Sequence, residues 1–84
     1  MIRVLYLARL REALGLREEE WPLPEGEFTV DRLVAELRRR GGAWASELAP
    51  GRSVRIAVNQ TLAQGATRIA AGDEVALFPP VTGG

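Results

Sequence analysis

Few residues in this sequence could do chemistry. Its 84 residues include no cysteine and no histidine, and all eleven basic residues are arginine. Disulfides, thiolate metal sites, the commonest metal ligand and the commonest general base are thereby missing. Without lysine there is no Walker-type phosphate loop, Schiff base or lysine general base. What remains is carboxylates, Ser46, Ser53, four threonines and Tyr6, with nothing in sequence to activate a hydroxyl. Asp73 and Glu74 are adjacent acids, but with no metal ligand or further acid beside them they read as turn chemistry. The sequence therefore predicts a protein that is not catalytic alone, binds no cofactor and holds no metal.

The group best suited to reaction is the last carboxylate, on Gly84. The chain closes with Phe78-Pro79-Pro80-Val81-Thr82-Gly83-Gly84. Two successive prolines fix φ and remove two backbone donors, so no inner strand continues through Pro79 and Pro80. Residues 1–78 are expected to form one domain and residues 79–84 a flexible tail that leaves it. Extended, the seven residues from Phe78 reach at most about 23–25 Å. Gly83 and Gly84 carry no Cβ, so the tip fits a slot too narrow for other residues. A glycine carboxylate is also the least hindered a protein can offer, which suits activation by another enzyme. The competing explanation is a frayed end with no role, and composition and spacing leave both open.

Eleven arginines balance eleven acids, giving zero formal charge and arguing against nucleic acid as the main partner. The first nine residues are too few and too interrupted by arginine for a signal peptide or membrane span. A cytoplasmic protein with no membrane association is the expectation.

The positioning elements follow from pattern. Ile2 to Leu7 reads as a strand with Ile2, Val4 and Tyr6 facing the core and Leu5 and Leu7 opposite. Ala8 to Leu14 reads as a short helix stopped by Gly15, and Arg17 to Trp21 as an edge strand. The spacing of Val30, Leu33, Val34 and Leu37 predicts a helix from Val30 to about Arg40, capped by Thr29 and favoured by Asp31 in its first turn. The Arg38-Arg39-Arg40 run reads as a solvated helix end. Ala43 to Leu48 suggests a helical turn with Trp44 inward. Val54 to Val58 reads as a strand turning at Asn59-Gln60 into a short return at Thr61-Leu62-Ala63. Glu74 to Phe78 is the final strand. The whole predicts an α+β fold, a mixed sheet packed on one face by the main helix, with its first and last strands central. Leu5, Leu7, Leu62 and Phe78 then share an apolar face at the root of the tail, which marks a protein partner unless the short helix or a loop covers it.

Val58-Asn59-Gln60, followed by Gly72-Asp73-Glu74-Val75-Ala76-Leu77 and the Phe78-to-Gly84 run, closely resembles the molybdopterin synthase small-subunit family of sulfur carriers, ubiquitin-like β-grasp proteins. The motif covers the last third of the chain; Arg17 to Gly26 matches nothing diagnostic. The proline pair separates it from the thiamine-pathway carriers. The resemblance implies that a ubiquitin-activating-like adenylyltransferase uses ATP and Mg²⁺ to adenylate the Gly84 carboxylate, which a sulfur donor converts to a thiocarboxylate. It further implies that Pro79, Pro80, Val81, Thr82 and Gly83 insert into the synthase large subunit. There sulfur passes to a cyclic pyranopterin precursor, and two deliveries build the dithiolene of molybdopterin. Leu7, Leu62 and Phe78 would contact the large subunit in a heterotetramer. Two alternatives stay open: a carrier for thiamine or tRNA thiolation, and a ubiquitin-like interaction module.

Overall fold

The computed structural model describes residues 1–80. Val81, Thr82, Gly83 and Gly84, and with them most of the tail expected over residues 79–84, lie outside the described residues.

The first strand, β1 (Ile2–Tyr6), buries alternate side chains. Ile2, Val4 and Tyr6 are almost wholly enclosed, whereas Arg3 is exposed. This is the period-two pattern of a strand with one face on a core. Helix α1 (Ala8–Leu14) ends at Gly15, whose φ of 69° is the left-handed conformation that glycine adopts without a Cβ penalty. Strand β2 (Glu18–Trp21) pairs only with β1 and forms one edge of the sheet. Its glutamates guard that edge against another chain.

The main helix, α2 (Val30–Arg38), begins where Thr29 Oγ1 accepts a hydrogen bond from the Arg32 N–H at 3.3 Å. Val30, Leu33 and Leu37 recur on its buried face. The helix is shorter than its pattern predicted. Arg39 is its C-cap, and Gly41, at φ 77°, redirects the chain into α3 (Gly42–Glu47). Arg40 is thus outside the helix.

Strands β3 (Arg55–Val58), β4 (Thr61–Leu62) and β5 (Glu74–Phe78) complete a five-stranded sheet in the order β2-β1-β5-β3-β4. β1 and β5 are parallel and all other pairs antiparallel. β5 stops at Phe78, just before the two prolines that cannot extend it. One core cluster joins Ile2, Val4 and Tyr6 of β1 to Leu10 of α1, Leu33 and Leu37 of α2 and Val75 and Leu77 of β5.

Two turns at one end of β5 are stitched together. Asp73 Oδ2 accepts from the Ala70 N–H at 2.8 Å, while Asp73 Oδ1 accepts from Asn59 Nδ2 at 3.0 Å. Asn59 Oδ1 in turn accepts from the Glu74 N–H at 3.0 Å. Asn59 and Gln60 both have positive φ, 51° and 69°, as a tight hairpin turn that follows the sheet's twist requires. Asparagine adopts that conformation readily; glutamine does so at a cost. Gln60→Gly is expected to stabilise the fold by about 0.5–1 kcal/mol, read as a rise in thermal midpoint. Asn59→Gly should lower the midpoint, because it removes both side-chain links to the Gly72-Asp73 turn.

Candidate partner-binding site

Side chains paired directly across a ladder share a face, so the sheet register locates every residue on the uncovered side. Leu5 pairs with both Glu18 and Ala76. Ala57 pairs with both Ala76 and Leu62, and Phe78 with Arg55. A row therefore runs Leu5, Ala76, Ala57, Leu62 across four strands, with Phe78 beside it where the tail begins. Leu7 follows β1 with extended backbone, φ −115° and ψ 156°, which continues the alternation on the side of Leu5. The small Ala76 and Ala57 lie between the larger side chains, making a shallow apolar saddle. Leu62 is 66% exposed and Leu7 42%. Leu5 and Phe78 are half-buried, as are Pro79 and Pro80.

The structure thus brings Leu7, Leu62 and Phe78 together on one side, next to Pro79 and Pro80. Alternation puts Ala76 on the face of Phe78, but sequence reasoning that looked for large side chains counted neither Ala57 nor Ala76 in the patch. Alternation along the strands was the available signal, Ala76 standing two residues from Phe78 and Ala57 two from Arg55, a charged residue that faces outward. The other half of this face is polar: Arg3 Nη2 binds Glu74 Oε2 at 2.6 Å. That contact raises the Arg3 pKa above its ordinary value, through the hydrogen bond first and the charge of Glu74 second.

The opposite side holds a feature that the sequence did not reveal. Arg40 reaches back over β2, donating to Glu19 Oε1 and Oε2 at 2.8 Å each. Its guanidinium stacks 5.0 Å from the Trp21 ring centre and 4.5 Å from that of Trp44. Tyr6, fully buried, donates its hydroxyl to Glu19 Oε2 at 2.6 Å and meets Trp44 edge-on with centroids 5.2 Å apart. The Arg38-Arg39-Arg40 run is therefore no simple solvated helix end. Arg38 Nε donates to the Leu48 carbonyl at 2.8 Å, and Arg39 alone stays largely in solvent. The helix stops early because Gly41 redirects the chain, and Arg40 is captured by two indoles and a carboxylate. Among the described residues no group of three or more acids is placed to hold a metal.

Burial alone would push the Glu19 carboxyl upward, but hydrogen bonds from Arg40 and Tyr6, together with the Arg40 charge, leave it below its ordinary range. The same bond to Glu19 holds Arg40 above its own. Burial, then the bond to Glu19, drives the Tyr6 hydroxyl far up.

A mixed sheet with its first and last strands parallel at the centre, and helices on one face only, defines the ubiquitin-like β-grasp class. The ThiS family model matches residues 4–84, and the chain belongs to that family. It is 41% identical over 85 residues to the molybdopterin synthase sulfur carrier subunit of Escherichia coli (strain K12), covering 100% of both chains. A protein of the same description from Haemophilus influenzae is 37% identical over 84 residues, again covering 100% of both. The crystal structure of SAMP1 from Haloferax volcanii shares the fold with a TM-score of 0.80 and 31% identity, covering 99% of this chain and 98% of that one.

The clamp makes stability depend on pH at both extremes. Glu19 is depressed in the folded protein, so its contribution is complete above the usual carboxylate pKa and is lost as pH falls through and below that range. Tyr6 is raised, so its contribution is present below the ordinary phenol pKa and declines once pH exceeds about 10, where only the unfolded chain ionises. Tyr6→Phe should abolish this alkaline component. Glu19→Gln should cost about 1–3 kcal/mol at neutral pH and flatten the acid limb. Thermal melts across pH check both.

Proposed function

We propose that this chain is the sulfur-carrier subunit of a molybdopterin synthase, acting in molybdenum cofactor biosynthesis and not catalytic by itself. One observation carries the reading: β5 displays its apolar outer face and ends at Phe78, so the docking surface and the root of the tail are the same place. A partner that covers the Leu5 to Leu62 row also receives Pro79 and Pro80. The six residues from Pro79 to Gly84 span at most about 20 Å, which sets the depth of the acceptor site below the docked face.

In this reading the Gly84 carboxylate attacks the α-phosphorus of ATP in a ubiquitin-activating-like enzyme, with Mg²⁺, releasing pyrophosphate. Sulfide-level sulfur released by a donor then attacks the acyl carbon, the bond from that carbon to the AMP oxygen breaks, AMP leaves, and the terminus becomes a thiocarboxylate. A bare carboxylate is a poor electrophile, hence the activation. Gly83, Thr82 and Val81 thread into the large subunit, where sulfur passes to a cyclic pyranopterin. Glycine at the last two positions meets the steric demand of that slot. Leu7, Leu62 and Phe78, with Ala57 and Ala76 between them, contact the large subunit, and two of each chain form a heterotetramer. No helix among the described residues is long and apolar enough to cross a membrane, and consumption of ATP puts this reading in the cytoplasm.

The test is a reconstituted mixture of activating enzyme, ATP, sulfur donor, large subunit and cyclic pyranopterin. Deleting Gly84, or adding one residue after it, should abolish dithiolene formation while leaving the circular dichroism spectrum unchanged. Loss of fold in those variants would mean the terminus is structural. Transfer to a thiamine precursor or a tRNA base, with none to pyranopterin, would assign the chain to another product.

A further inference from the structure

The apolar saddle is flanked by two opposite charges. Glu18 lies on β2, paired with Leu5, and Arg55 on β3, paired with Phe78. Both are exposed, and neither takes part in any ion pair among the described residues. Arg3 stands near Glu18 on the same face, but its guanidinium is bound to Glu74. β2 and β3 are three strand spacings apart in the sheet, and Arg55 is set two residues along from the row of Glu18, so their Cα atoms lie roughly 16 Å apart on the diagonal. Between them lie Leu5, Ala76 and Phe78, with Ala57 beside Arg55 on β3.

Apolar burial is non-directional, and a shallow saddle permits docking in more than one rotation. A carrier whose reactive atom lies six residues beyond Phe78 needs a single rotation, because any other aims Pro79 away from the acceptor slot. Flanking charges give orientation and encounter rate more than raw affinity.

We propose that Glu18 and Arg55 fix the rotational register of docking, the large subunit presenting a basic side chain opposite Glu18 and an acidic one opposite Arg55. The proposal rests on the sulfur-carrier reading. Both are positioning residues that touch no reacting atom.

The experiment measures association and dissociation rates of the full chain with purified large subunit at low and moderate salt. Arg55→Glu and Glu18→Arg should each weaken binding about tenfold or more, mainly through slower association and with reduced salt dependence. Arg55→Lys should stay close to the unaltered chain. Arg39→Glu, the same charge change on the helix side, should have little effect. In sulfur transfer the reversals should raise KM and leave kcat nearly unchanged. Unchanged rates for both reversals, or an equal loss in Arg39→Glu, would overturn the proposal while leaving the carrier reading intact. Failure of the unaltered chain to bind the large subunit would overturn the reading as well. Thermal melts confirm that each variant is folded.

Discussion

The parallel pairing of β1 with β5 is the constraint on which the rest of the molecule depends. It joins segments some seventy residues apart, from the Arg3 N–H donating to the Asp73 carbonyl at one end to the Leu7 N–H donating to the Leu77 carbonyl at the other, both at 3.0 Å. Such a contact gains nothing until the intervening chain has closed a long loop. Once made, it places Val4, Tyr6, Val75 and Leu77 together in the core and turns Leu5, Ala76 and Phe78 to the other side. The position of the tail root follows directly.

The two faces of the sheet are held by different physics. On the helix side, close packing is supplemented by the Tyr6, Glu19, Arg40, Trp21 and Trp44 clamp, which fastens the glutamate-rich edge strand to the end of α2. Without it β2 would rest on one ladder, with three poor strand formers in succession. On the outer side, among the described residues, the sheet carries the Arg3–Glu74 pair beside an exposed apolar row. That division suits a protein whose own stability is settled on one face while the other is left for a partner.

Much of this was legible in the sequence, for identifiable reasons. Alternation placed Ile2, Val4 and Tyr6 inward, helical spacing picked out Val30, Leu33 and Leu37, and Thr29 marked the start of α2; each is a local signal, and each appears in the structure. The proline pair marked the end of β5 equally well. What escaped depended on distant contacts. Arg40 lies 21 positions from Glu19, so nothing local distinguished it from Arg38 and Arg39. Ala57 and Ala76 escaped for another reason: alternation puts Ala76 on the side of Phe78, but only the register shows that the two alanines are neighbours in the middle of the saddle.

A carrier subunit must become chemically different at its terminus while its body stays the same, and that is the central claim here. The most direct measurement is intact and C-terminal peptide mass after incubation with the activating enzyme, ATP, Mg²⁺ and a sulfur donor. The account predicts one oxygen exchanged for sulfur, located on Gly84 and dependent on ATP. An unchanged mass with active partner enzymes, or sulfur found anywhere else in the chain, would contradict it.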